Sequence, residues 1–482
     1  MRKFFALICL TGVIASCQND IIENNIARED KKILLSEDEA ISIANDNPQN
    51  LSEEDILSIV KSFSNSLNIE TRSSCKPELS ITGMYHIGGV KSSTRSAISD
   101  SIPIYKVGLK SVDVDGYALV SADSRSAGVL AYIENGNFEK RNRTGAGLML
   151  KLAEATTIAE INKVERLKAE LRGKTLNKIA SSLGKTTITY DEVKDLIEIE
   201  GLKGNDIISR SPAYDKPLSQ VVGAMPKGGF LLNVEWSQNS PYNLLLPKSY
   251  HPLFHMETHY PMGCAVTAGI QALTAIKPNM NIDGVTIDWN ILTKNPIINY
   301  NPDYGGGDYD AAMMASRLSK HMYEGTGTKP NIDENFEYGP YDDPNIPCVK
   351  SSSTSTSALR DYLNKYVSCG TYYDKYAPDP LLNTINANRQ TPCVAIMGGT
   401  HAANEQAEKG SHAWVIDGYL ICVKTSKEIL KKNDLYFHAN MGWGGPDNGF
   451  YKVNADTSTD FETELGNYNA CLLYTSDAAD EL

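Results

Sequence analysis

Hydrophobic and polar positions follow several different rhythms along this chain, and each change of rhythm marks a part. Arg2 and Lys3 lead into the apolar run Phe4 to Leu10 and then Ile14-Ala15-Ser16-Cys17, the layout of an export signal ending in small residues. The run is too short to span a bilayer, which takes about 20 apolar residues. Residues 17–32 are polar and predict a tether. Ser36 with Glu39, and Ser52 with Asp55, have capping-box spacing ahead of two short amphipathic helices, with Leu51 and Ile56 placed as a staple. Ile104 to Val107, Tyr117 to Val120 and Gly128 to Ile133 read as strands, the first two joined by a turn at Asp115-Gly116. Residues 33–145 thus predict a small α+β unit.

From Ala146 the period changes to that of a helix, with Ile158, Ile161, Val164, Leu167 and Leu171 on one face and mixed charges between them. The mixture of Glu with Lys predicts a surface helix packed on a neighbour, and 146–200 is read as a helical connector. Residues 201–229 are richer in Gly, Pro, Ser and Lys, hold no sustained period, and are the candidate linker. Beyond it, residues 230–470 change to Tyr, Gly, Pro, Asn and Trp in short strands and turns, and all four tryptophans lie there. The serine run Ser351 to Ser357 reads as a turn and N-cap for a helix at Ala358 to Leu363. Residues 471–482 read as translated sequencing adapter, with the native C-terminus expected elsewhere.

The chain has 482 residues, enough for two or three domains, and its net charge of −13 argues against nucleic acid as a partner. Its nine cysteines include no CxxC pair, which excludes a zinc-ligand pattern, and their scatter does not read as a disulfide scaffold. His251, His255 and His259 have helical spacing, but Pro252 and Pro261 bracket them and no HExxH motif is present, so no metal and no cofactor are expected.

The chemistry points to three segments. In Tyr260-Pro261-Met262-Gly263-Cys264, followed by small and apolar residues as far as Ile276, a turn precedes a buried helix, so Cys264 sits at a helix N-terminus. The unpaired N–H groups and the dipole there favour thiolate. His412 opens a strand that runs to a turn at Asp417-Gly418, and Asn440 precedes Met441-Gly442-Trp443-Gly444-Gly445 in a hairpin turn. Cysteine, histidine and asparagine in that order supply a nucleophile, a base to take its proton, and an amide to fix the imidazole's tautomer and direction.

These segments resemble the streptopain family of papain-like cysteine peptidases, in which GC at the nucleophile, GHA-V-I-DG at the base and HVNWGWGG at the third position recur. The likeness extends to Ser240-Pro241-Tyr242-Asn243-Leu244-Leu245 and to Asp288-Trp289-Asn290. Upstream, Tyr117 to Asp123 and Leu130-Ala131-Tyr132 resemble the family's inhibitory propeptide. The resemblance implies a papain-like fold, a nucleophile-bearing helix on an antiparallel sheet, preceded by an α+β propeptide domain. By matched position it makes Cys264 the nucleophile, His412 the general base and acid, and Asn440 the orienting amide. Gly263 and Trp443 become supporting residues, with Trp443 shielding the imidazole, and Ser353 and Ser355 line the substrate cleft. Two departures stand out. Met441 replaces the first Trp of NWGW, and no Gln lies within seven residues before Cys264 to donate to an oxyanion, leaving Thr258 or His259 for that role.

Residues 14–17 resemble a bacterial lipobox with Cys17 as the acylated residue, and Gln18, not being Asp, implies sorting to the outer membrane or cell surface. The expectation is an exported lipoprotein cysteine endopeptidase made as a zymogen. Its partners would be protein or peptide substrates, its own propeptide and, through the lipid, a membrane; activation cleavage would fall in 201–229, at Arg210 or Lys216. The alternative is a catalytically impaired peptidase-fold lipoprotein acting as a binding module.

Overall fold

A computed structural model describes residues 32–44, 48–67, 77–88, 101–112, 114–140, 145–199, 218–224, 231–370, 381–382, 385, 393–401, 410–425, 432–453 and 467–469. The export signal with Cys17, the adapter-like end, Arg210 and Lys216 all lie outside these residues. Among the described residues α and β elements are mixed, and no helix is long and apolar enough to cross a membrane.

The dominant element is a ten-stranded antiparallel sheet that joins the two halves of the chain. Nine strands run in the order Glu78–Gly88, Ser101–Lys110, Asp115–Ser121, Gly128–Ile133, Gly449–Val453, Lys432–Asn440, Gly410–Thr425, Ala395–His401 and Asn467–Asn469, and the tenth, Leu218–Ala224, pairs off this path with Gly410–Thr425. The seam between upstream and downstream strands is the pairing of Ile133, Tyr132 and Ala131 with Gly449, Phe450 and Tyr451. Both capping boxes form: Ser36 and Glu39 exchange hydrogen bonds, and Ser52 caps the helix Glu53–Ser66 with Asp55 answering.

Four sequence expectations need correction. Lys110 pairs with Asp115, so the turn lies between them and not at Asp115-Gly116; Gly116 is required because a Cβ there would meet the Ile133 carbonyl oxygen at 2.2 Å. The turn expected at Asp417-Gly418 is a bulge inside the strand Gly410–Thr425, where Asp417 Oδ1 pairs with His438 Nδ1 at 2.6 Å. The serine run splits, Val349–Ser353 being a strand and Ser355 the cap of the helix Thr356–Leu363. Part of the candidate linker, Leu218–Ala224, is a strand paired with Leu420 to Thr425, so the loss of pattern in the sequence extends over an edge strand as well as a linker.

The long helix Gly145–Ser182 is no simple surface helix. Its first turns, through Ala146, Leu148, Met149, Leu152 and Ala153, are buried against Trp414, Ile416, Phe437, Met441 and Tyr451 of the sheet in one core. Each buried Leu or Met there contributes about 1.5–3 kcal/mol. A buried ionic contact adds to this: Lys452, 1% exposed, lies 2.7 Å from Glu160 of the helix and 3.2 Å from Asp434 of the neighbouring strand. A second core holds the apolar helix Cys264–Ile276, packed with the helices Tyr309–Gly325 and Thr356–Leu363.

Candidate active site

Cys264 is the first residue of its helix, as its sequence setting predicts. Gly263 caps the helix with φ +85°, and a Cβ at that position would lie 2.5 Å from the Ser352 carbonyl oxygen, so only glycine fits the turn. Thr267 returns its N–H and Oγ1 to the Gly263 carbonyl, holding the turn to the helix. The residue is partly exposed, but its sulfur is enclosed by protein. Burial pushes its pKa up, outweighing the N–H groups of Ala413, Ala265 and Cys264 that act to lower it. The helix terminus alone therefore does not make a thiolate in this arrangement, contrary to the expectation from sequence.

His412 lies on the strand Gly410–Thr425 beside Ala413, whose N–H faces the Cys264 sulfur. Its ring is 3% exposed and stacks on Trp443, with ring centres 4.9 Å apart at 9°, and on Trp414 at 6.0 Å and 17°. Nε2–H donates to the Met441 carbonyl at 2.8 Å, which leaves Nδ1 with the lone pair a base needs. Burial lowers the imidazole pKa to about 4, the Met441 carbonyl opposing that shift. Burial thus favours the neutral form of both thiol and imidazole. The start of the long helix covers the ring: a Cβ at Gly145 would lie 2.6 Å from His412 Cδ2 and 3.1 Å from Met441 Sδ.

Asn440 is close to this pair without bonding to the imidazole. Its Nδ2 donates to the Val234 carbonyl at 2.8 Å and its Oδ1 accepts from the Gly442 N–H at 3.1 Å. The amide thus shapes the turn over residues 440–445, and the carbonyl of the next residue orients the histidine. Asn448 Oδ1 holds the Met441 N–H at 2.8 Å. Met441, the departure from NWGW, is fully buried beneath the long helix. Trp443 covers the imidazole face.

The structure brings Ser352, not Ser353, against the nucleophile turn, and Ser355 Oγ accepts from the Ala358 N–H as a helix cap. Thr258 and His259 lie on a two-stranded hairpin opposite Ser249 and Lys248. His255 pairs with Asp342 at 3.0 Å, and among the described residues no three His, Cys, Asp or Glu side chains are gathered to hold a metal. Sequence reasoning missed Gln238, which is buried and whose backbone carbonyl accepts the Met262 N–H at 3.0 Å, two residues before the nucleophile. The signal lay just ahead of Ser240-Pro241-Tyr242, too far upstream for a search confined to the residues adjoining Cys264.

Comparison with known proteins gives the class first. Residues 236–451, which contain Cys264, His412 and Asn440, match the Peptidase C10 family. Among individual proteins the chain is similar to streptopain of Streptococcus pyogenes, with 22% identity over 418 residues, 78% of this chain and 83% of streptopain. Streptopain of Streptococcus pyogenes serotype M1 is 21% identical over the same length. At the level of the family these matches support a cysteine peptidase, which acts on protein substrates.

Proposed function

We propose that this chain is an exported cysteine endopeptidase made as a zymogen, with a papain-like peptidase domain and an inhibitory upstream unit. The observation that carries the reading is the adjacency of Cys264, at a helix N-terminus, to the strand position of a tautomerically fixed His412. In turnover, the Cys264 proton passes to His412 Nδ1 and the sulfur attacks the scissile carbonyl. The imidazolium then protonates the leaving amine as the C–N bond breaks, leaving a thioester. Water, deprotonated by the same imidazole, hydrolyses that thioester and restores the thiol. The Cys264 N–H serves the oxyanion, and Gln238, whose backbone holds Met262 two residues before the nucleophile, is proposed as its second donor; Asn440 sets the turn, and Trp443 keeps water from the imidazole.

The zymogen reading draws its support from the start of the long helix over His412 and from the neutrality of both reacting groups. Cleavage in 201–229 would free the upstream unit, and a cut at Arg210 or Lys216 would leave Leu218–Ala224 paired with the peptidase strand. Cys17 would anchor the protein by lipid to the outer membrane or cell surface. A binding module of low turnover is favoured by the same neutral thiol and by the His412 bond to Met441 in place of Asn440.

Casein hydrolysis by the processed protein separates the two. Cys264→Ala and His412→Ala should each abolish it, Asn440→Ala should be milder, and Cys393→Ala should leave it nearly unchanged. Activity in Cys264→Ala equal to that of the parent sinks the peptidase reading.

A further inference from the structure

Cys264 lies on a helix, and His412 with Asn440 lies on the sheet, so a thiol–imidazole pair works only if something fixes the distance between the two elements. A misplacement of about 1 Å can lower turnover about 100-fold. Residues 234–236 touch both sides. Toward the helix, the Trp236 N–H donates to Gln271 Oε1 at 3.0 Å. Toward the sheet, the Val234 carbonyl accepts from Asn440 Nδ2 at 2.8 Å, and the Trp236 carbonyl accepts from the Gly444 N–H at 3.2 Å. Trp236 is itself fixed by stacking on Tyr242, with ring centres 5.1 Å apart.

Gln271 is anomalous for its place. It is fully buried, two turns beyond Cys264, among Ala268, Ile270, Ala272 and Leu273, and unlike the helix's buried threonines, Thr267 and Thr274, whose hydroxyls bond backbone carbonyls one turn back, it reaches out of the helix. A glutamine among apolar neighbours loses its hydration and must recover hydrogen bonds. Oε1 does so, while Nε2 has no acceptor among the described residues. That nitrogen faces the catalytic turn, lying 3.6 Å from where a Cβ would stand at Gly442, whose φ is +72°.

We infer that Gln271 is a positioning residue for the peptidase reaction, coupling the Cys264 helix through residues 234–236 to the turn that orients His412. The inference rests on the cysteine-peptidase reading of Cys264 and His412. Loss of the Oε1 acceptor unhooks the helix from this segment, so the proton transfer between sulfur and imidazole suffers. The Ser352 carbonyl that lies against the nucleophile turn is untouched.

The test uses the full chain, allowed to process, with Gln271→Met, which keeps length and volume without an acceptor, and Gln271→Glu, which keeps one. Each is measured for kcat and KM on a fluorogenic peptide and for the rate of Cys264 alkylation by iodoacetamide from pH 4 to 9. Gln271→Met should lose about tenfold or more in kcat with KM within about twofold, and its alkylation profile should move toward that of an isolated thiol. Gln271→Glu should recover most of the kcat. Parental kcat and alkylation profile in Gln271→Met overturn the inference, as does an equal loss in both variants. If Gln271→Met does not fold, Gln271→Leu replaces it, and failure of both to fold assigns Gln271 to the core and also overturns it. An inactive parent sinks the peptidase reading and the inference with it, whereas an active parent with an indifferent Gln271 sinks the inference alone.

Discussion

Acid should loosen the full chain through one buried histidine. His412 has a pKa lowered from 6.5 to about 4 by burial under Gly145, Trp414 and Trp443. Below pH 6.5 the unfolded chain takes up a proton at this site that the folded chain refuses until about pH 4. Stability is therefore whole above pH 6.5 and falls as the pH drops through that window. The linkage relation gives a loss of about 2 kcal/mol at pH 5, rising to about 3 kcal/mol below pH 4. Other carboxylates and histidines titrate as well, so the comparison must isolate this one. In a Cys264→Ala background, which removes the proposed nucleophile, urea unfolding is followed at pH 7, 6 and 5 with and without His412→Phe. Phenylalanine can stack between the same tryptophans but cannot titrate. The chain with His412 should lose about 2 kcal/mol more between pH 7 and 5 than the variant. Equal pH dependence would refute the buried, neutral imidazole and with it the covering role of the helix start.

Three further outcomes follow from neighbouring contacts. Gly145→Ala introduces a Cβ 2.6 Å from His412 Cδ2; overpacking of about 1–3 kcal/mol against the docked helix should speed labelling of Cys264 in the full chain about 5- to 150-fold, measured by mass spectrometry. An unchanged labelling rate counts against the covering of His412 by the helix start. Glu160→Gln removes one carboxylate from buried Lys452 while Asp434 remains, so the full chain should melt lower, by less than the about 3–5 kcal/mol of a wholly broken buried pair, and the processed domain should not change. Gln238→Ala should lower kcat about 10²- to 10³-fold if its side chain serves the oxyanion, and parental kcat would exclude it.

The local signals in the sequence were the readable ones. Ser36 with Glu39 and Ser52 with Asp55 specify their helix starts by spacing alone, and both form. The helix from Cys264 to Ile276 is set by the glycine turn before it and the small apolar run within it, with Lys277 in the left-handed conformation closing it. What stayed hidden depends on contacts between distant segments. The strand Glu78–Gly88 half-exposes alternate residues at the sheet edge, and Leu218–Ala224 sits in a glycine- and proline-rich stretch without hydrophobic contrast. That Met441's carbonyl, and not Asn440's amide, holds the imidazole depends on the backbone path through Gly442, Gly444 and Gly445, all at positive φ. The covering of His412 by Gly145 joins two elements far apart in sequence, and no local period encodes it.

The central claim, that Cys264 is a nucleophile activated by His412 once the upstream unit is released, is tested most directly by an epoxysuccinyl thiol-peptidase inhibitor. The processed protein and the intact full chain are treated at pH 7, and the modified residue is located by mass spectrometry. Rapid labelling at Cys264 in the processed protein, slow labelling in the intact chain, and loss of labelling in His412→Ala are expected. Labelling that ignores His412, or falls on Cys348, Cys369, Cys393 or Cys422 as readily as on Cys264, would contradict the claim.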